Sequence, residues 1–201
     1  MHTGPAPAAK RTPGGPVLQG DVTRALEVAF FEELGAVGYG KLSIEAVARR
    51  AGAGKAAIYR RWPSKQAMTI ELASRAALAA VRPRDTGNLH DDIAQFVRDT
   101  MSALSHPLVS RIVLDLLAET ARNEELADAL LSSIRTPRRE NAARILHQAI
   151  ERGELPADTD VELGLDFLVS PIYWRLAVIR TPLGDDYAER ITAKIIAAIA
   201  A

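Results

Sequence analysis

The sequence contains no cysteine, which excludes disulfide cross-links and any thiolate nucleophile or thiolate metal ligand, and fits a reducing compartment such as the cytoplasm. It carries no net charge, with 25 Lys and Arg against 25 Asp and Glu, so the chain as a whole is not a polycation that would adhere to any polyanion. No apolar run approaches the roughly 18 residues a membrane helix needs, and no membrane partner is expected. The N-terminus carries Pro, Gly and Ala without an apolar stretch, so no signal peptide is expected. The alternation of a half-buried strand is missing throughout, as is any internal repeat. Also missing are HExxH, CxxC and a Gly-rich phosphate loop. His2, His90, His106 and His147 are scattered. The triplet His90-Asp91-Asp92 resembles a metal cluster, but acidic residues at a helix start are favoured by the helix dipole, and that reading is preferred. Ser105-His106 and Ser170 lack the third group of a triad. The expectation is a protein with no catalytic site, no metal and no cofactor.

What the chain does contain is 201 residues, 48% of them hydrophobic. That is enough for one or two small domains with a sizeable core. Its charge is also unevenly distributed. Residues 1–81 hold 11 Lys and Arg against 6 Asp and Glu, whereas residues 82–201 hold 14 against 19. Within 41–65 the cations are Lys41, Arg49, Arg50, Lys55, Arg60, Arg61 and Lys65, opposed by Glu45 alone. A solvated charged face would account for such a run taken alone. The local pattern points elsewhere.

Residues 43–62 read as two short helices joined by a tight turn. Ser43 is a good N-cap. Ile44, Val47, Ala48 and Ala51 then fall at i, i+3, i+4 and i+7, one buried helical face. Gly52 stands where a left-handed backbone is needed, and Gly54 can start the second helix as a weaker cap. Ile58 and Trp62, four apart, turn inward together. This is a helix-turn-helix with a basic second helix, and such a helix fits the major groove of B-DNA. Pro63 disfavours helix at Trp62, Ser64 caps the next helix, and Lys65 beside its free N–H groups makes a phosphate clamp. The predicted DNA contacts are Ser43, Gly54, Lys55, Ala56, Ala57, Tyr59, Arg60 and Lys65.

The run AGAGKAAIYRRWPSKQAM resembles the recognition segment of TetR-family repressors. The family pattern is alanine-glycine-x-serine-x-x-x-(leucine or isoleucine)-tyrosine-x-(tyrosine or histidine)-phenylalanine-x-x-lysine. Ala51, Gly52, Ile58, Tyr59 and Lys65 carry the match. Gly54 stands in place of the usual Ser and loses a side-chain cap. Trp62 replaces the usual Phe. Ala57 replaces a frequent Thr, leaving a methyl group for thymine. Ala46, three residues after Ser43, removes the reciprocal capping box. The resemblance covers residues 20–80. Further on it rests on helix number and on Ser-Pro-Ile-Tyr-Trp at 170–174, which is similar to a glycine-proline-isoleucine-tyrosine-tyrosine feature of some family members.

The predicted fold is all-α: a three-helix helix-turn-helix head with a linking helix, then a C-terminal helical bundle that dimerises. Residues 1–16, rich in Pro, Gly and Ala, are expected to be a disordered tail in which Lys10 and Arg11 could form a minor-groove or phosphate arm. Residues 17–81 form the DNA-binding domain. Its first helix (17–37) carries a stripe of Val22, Leu26, Ala29, Phe30 and Leu34, and is ended by Gly38-Tyr39-Gly40. A fourth helix spans 65–81. Residues 82–88 are the linker, with Asn88 as a cap candidate. Residues 89–201 form the C-terminal domain, with helices over 89–105, from Pro107, over 124–152, over 160–179 and over about 185–200. Thr136-Pro137 and Pro171 should break or kink two of these.

One recognition helix reads only a few base pairs, so a palindromic operator on double-stranded DNA and a two-fold homodimer are expected. The resemblance implies dimerisation through the last two long helices. Leu165, Leu168, Ile172, Ile191, Ile195 and Ile199 are the predicted interface residues, although the same stripe would also serve to close a monomer core. The resemblance further implies a small effector that releases the protein from DNA by shifting the spacing of the heads. Phe96, Met101, Leu116, Leu117, Ile145, Tyr173 and Trp174 are the candidate pocket walls; their chemistry suggests an apolar or aromatic ligand, although plain core is the preferred reading of each. A helical ligand-binding or interaction module with a degenerate head is the alternative kept open by Gly54 and Ala57.

Overall fold

The computed structural model describes residues 16–82, 84–181 and 183–201, with side chains from Val22 onward. The expected tail, with Lys10 and Arg11, lies outside the described residues except for Pro16. The regular structure of the described residues is entirely helical, without strands: α1 (Pro16–Lys41), α2 (Ile44–Arg50), α3 (Lys55–Arg61), α4 (Lys65–Ala80), α5 (Leu89–Ser105), α6 (Pro107–Thr120), α7 (Glu124–Leu130), α8 (Thr136–Glu151), α9 (Val161–Tyr173) and α10 (Tyr187–Ile199). No single described helix is long and apolar enough to cross a membrane.

Helix starts follow side-chain caps. Ser43, Ser64, Asn88, Asn123 and Asp160 each accept a hydrogen bond from a backbone N–H three residues on, satisfying a donor that has no partner within the helix. Pro107 opens α6 at a position where no amide is needed. Each internal proline lies beside a departure from α-helical geometry. Neither can donate to the carbonyl one turn back. Yet the chain does not break: it opens into π-type turns at Leu131–Arg135, just before Pro137, and at Trp174–Ile179, just after Pro171, widening locally instead of ending the helix.

Two apolar cores result. The first gathers Leu26, Phe30 and Leu34 of α1, Val47 of α2, Ile58 of α3, Trp62, and Met68 and Leu72 of α4, and it is completed by Ile112 and Leu116 of α6 and Leu126 of α7. The second gathers Val81 with side chains of α5, α8, α9 and α10. Between α5 and α6 the chain turns by 87°, which carries α6 away from α5 and onto α1.

The α1–α6 seam is polar at its edge. α1 is interrupted at Gly38, whose φ of 77° and ψ of 165° are open only to glycine. The turn exposes the Tyr39 N–H, which donates to Asp115 Oδ2 of α6 at 2.7 Å. Arg111 donates to the Gly35 carbonyl at 3.0 Å. At the other junction, between α4 and α5, Asp92 is 1% exposed. Its Oδ1 accepts from the Thr86 N–H and hydroxyl, both at 2.7 Å, and Arg152 at the end of α8 pairs with Asp85, Asp92 and Glu154. The residues between α4 and α5 are thereby moored to the second core.

Candidate nucleic-acid interface

α2 and α3 meet across the turn at Ala51–Gly54, where Gly52 adopts φ of 64°, a left-handed value glycine takes without penalty. Gly54 begins α3 without a side-chain cap. Ile58 and Trp62 are 0% and 1% exposed and fix how α3 rolls on the first core. That roll leaves Lys55, Ala56, Tyr59 and Arg60 facing outward, with Ala57 half-buried. The Trp62 indole N–H donates to Glu71 Oε2 at 2.7 Å, a bond that a phenylalanine could not make.

The two adjacent arginines differ in their partners. Arg61 donates to Thr23 and Glu71 and stacks 4.6 Å above the Trp62 ring, so it is committed to the fold. Arg60 makes no side-chain hydrogen bond or ion pair among the described residues and is exposed. Arg50 is likewise tied to α1, through Glu32 and Glu33.

Lys65 stands at the start of α4, but its ammonium is turned back onto the end of α1. It donates to the Tyr39 and Gly40 carbonyls at 2.9 and 3.3 Å and lies 4.4 Å above the Tyr39 ring centroid. An ammonium has three protons, so one is left without a hydrogen bond among the described residues. Ser43 caps α2 with its oxygen, accepting from Ala46 N–H at 3.1 Å.

One residue of this surface was not anticipated. Glu45, in the first turn of α2, accepts from the Tyr59 hydroxyl at 2.7 Å and from the Ser43 hydroxyl at 3.2 Å, with the Lys55 ammonium 3.8 Å away. The Tyr59 bond, chiefly, holds the Glu45 carboxyl below the usual range, and the same bond raises the Tyr59 phenol. The sequence signal was the single acidic residue among seven cations; its partners depend on how α2 packs on α3.

The candidate pocket residues do not converge on one cavity. Leu116 belongs to the first core, whereas Phe96 and Ile145 belong to the second, with Met101 packed at its edge. Leu117 and Trp174 are 50% and 58% exposed, so they face outward. Tyr173 is half-buried, and burial raises its phenol. Thr100 on α5 is 2% exposed, and its hydroxyl has no hydrogen-bond partner among the described residues. A groove of about 340 Å³ lies between the start of α8 and α9, lined by Leu131, Arg135, Arg139, Ala143 and Leu165 among others.

Most of the predicted interface residues are already used by the core of one chain. Leu165, Leu168, Ile172, Ile195 and Ile199 are buried within the second core of one chain, and Ile191 packs against it. The five buried side chains are covered in the monomer, whereas Ile191 is half-buried. The opposite face is the uncovered one: Leu163, Phe167, Ser170, Trp174 and Val178 are exposed along α9 and its continuation, and Ala193, Ala197 and Ala198 along α10.

Comparison with known proteins agrees with this geometry. Residues 28–72 match the family described as bacterial regulatory proteins, tetR family, and residues 83–195 match the tetracyclin repressor-like C-terminal domain. The chain is 28% identical over 167 residues to the HTH-type transcriptional regulator YdeS of Bacillus subtilis (strain 168), covering 82% of each protein. It is 31% identical over 159 residues to the DNA-binding transcriptional repressor TetR of Mycobacteroides abscessus, covering 77% of this chain and 80% of that one. Among solved structures it is similar to the TetR family transcription regulator SCO0332, with a TM-score of 0.70 at 27% identity, covering 89% of this chain and 98% of that one.

Proposed function

Since the chain belongs to the TetR family of bacterial regulatory proteins, whose members are DNA-binding transcriptional regulators that act as dimers, we propose that it reads a palindromic operator with the outward face of α3. The observation that carries this reading is the division of α3 into two faces. Ile58 and Trp62 are locked into the first core, while Lys55, Ala56, Tyr59 and Arg60 are left exposed on a surface otherwise dominated by cations.

In this reading Arg60 and Lys55 address base edges, Arg60 through the bidentate guanine contact. Ala56 and Ala57 offer methyl groups to thymine, and Gly54 lets the backbone approach closely. Tyr59, Ser43 and the N-termini of α2 and α4 address phosphates, which set register without reading sequence. Lys65 acts there with its one remaining proton, and its two carbonyl bonds lock the start of α4 to the end of α1. The reading head is then residues 17–81 and the linker 82–88, with the C-terminal part 89–201.

The partner surface is the uncovered face of α9 and α10, occupied by a second copy. Leu163, Phe167, Trp174 and Val178 recur at helical spacing along one side, and the alanines of α10 allow close helix approach. A two-fold axis there sets two α3 helices about 34–36 Å, or a multiple, apart. An apolar or aromatic effector that prefers the non-binding arrangement would release the DNA. The protein acts in the cytoplasm, where that DNA is.

The test is fluorescence anisotropy of the purified protein on its own upstream DNA across a salt series, with scrambled DNA as control. Tight selective binding with a steep salt slope is expected, and the same complex then serves to screen for releasing ligands. Weak and equal binding to both, with no palindrome recovered from random-sequence selection, rejects the reading in favour of a helical module with a degenerate head.

A further inference from the structure

Glu45 is the only acidic residue in the stretch 41–65. Its two carboxylate oxygens are bonded to the hydroxyls of Tyr59 and Ser43, with the Lys55 ammonium nearby. All three partners belong to the surface proposed to meet DNA, and the role inferred for Glu45 rests on that reading. A phenol has one proton to donate. While Tyr59 donates it to Glu45, it cannot donate it to a phosphate. We propose that Glu45 is an internal stand-in for a DNA phosphate, holding the phosphate-seeking groups of α2 and α3 in the free protein and yielding them only when a duplex competes.

The geometry supports competition over assistance. A carboxylate and a phosphate make the same kind of acceptor for an O–H or an ammonium, and both are anions. A phosphate arriving at Tyr59 and the α2 N-terminus therefore meets a like charge as well as an occupied donor. Glu45 also sits in the first turn of α2, where the helix dipole favours it, so the stand-in is stable in the absence of DNA. Because phosphates carry no sequence information, the cost falls equally on operator and non-operator DNA. Acting through Tyr59 and Ser43, Glu45 lowers the affinity for all DNA; only its longer contact to Lys55, at 3.8 Å, reaches a side chain that addresses base edges.

The experiment uses the full chain and a labelled duplex of scrambled sequence at low salt, where phosphate contacts alone hold the complex, alongside the upstream duplex. Glu45→Gln is expected to bind both duplexes about two- to fivefold more tightly, the range of an exposed ion pair. The gain should shrink in a Tyr59→Phe background, where there is no hydroxyl to release. Equal or weaker binding by Glu45→Gln would make Glu45 a support for α2 and overturn the proposal. So would a gain that persists undiminished in the Tyr59→Phe protein, which is plain charge repulsion. Wild-type protein that binds neither duplex rejects the reading surface itself. If the Gln variant melts early, Glu45→Asp is read in its place. It keeps the charge in the first turn but falls short of Tyr59, and the same sign is expected.

Discussion

Replacing Gly38 by alanine is expected to destabilise the seam between α1 and α6 by two separable routes. At φ 77° and ψ 165° an alanine is strained by about 1–3 kcal/mol. Its Cβ would also lie 2.6 Å from Asp115 Oδ1 and 3.3 Å from Cγ. The carboxylate must turn away and give up the Tyr39 N–H, a charge-assisted bond worth about 1.5–3 kcal/mol. The stiffer unfolded chain returns about 0.4–1 kcal/mol. The net loss is about 1.5–5.5 kcal/mol, or roughly 3–20 °C in melting temperature for a chain of this size, read by far-UV circular dichroism. Asp115→Ala clears the space and removes the acceptor, so in that background Gly38→Ala should cost only its backbone share, and the two losses should not add. A Gly38→Ala protein melting within about 2 °C of wild type, or full additivity of the two changes, would refute the reasoning.

Three further outcomes are expected. Arg60→Ala should relax the choice between operator and mismatched DNA by about 1–3 kcal/mol with an unchanged melt, whereas Arg61→Ala, which removes the bonds to Thr23 and Glu71, should lower the melt. Phe167→Arg should give monomers in sedimentation velocity while keeping helicity; Leu168→Ala should keep the dimer but cost about 2–5 kcal/mol of stability. The Glu154 carboxyl is held low, first by the Leu89 N–H and then by Arg152. Its stabilisation is therefore present above its unfolded pKa and lost as pH falls through the folded one. The difference in melting temperature between wild type and Glu154→Gln should shrink as pH is taken from about 5 to about 3, and a constant difference would remove the assignment.

The sequence made the head largely legible because its signals are local. The capping of α2 and α4 by Ser43 and Ser64, the inward pair Ile58 and Trp62, and the left-handed Gly52 all follow from spacing within a few residues. The helices of the C-terminal part were legible for the same reason. Their orientation was not. α9 is apolar on both sides, Leu165 and Leu168 on one and Leu163 and Phe167 on the other, so periodicity cannot say which side faces the core. Long-range partners were equally hidden. Nothing near Tyr39 points to Asp115, 76 residues away, and nothing near Glu45 reveals that Tyr59 will fold back onto it. Arg60 and Arg61 look alike in sequence, and only the roll of α3 separates an outward-facing cation from a structural one.

The way the first core closes bears on how such proteins can be inherited. Its floor comes from Ile112, Leu116 and Leu126, while the chain between them and α4 departs into the other core. A gene crossover within 82–88 would transplant a reading head without the surface it was shaped against, leaving Leu26, Phe30 and Leu34 on a floor evolved for other side chains. Exchange between relatives should survive only where 107–134 already agree, or where they travel along. New operators should then arise more readily by substitution on the exposed face of α3 than by swapping heads, and lineages of α1 should carry a matching record of change in α6 and α7.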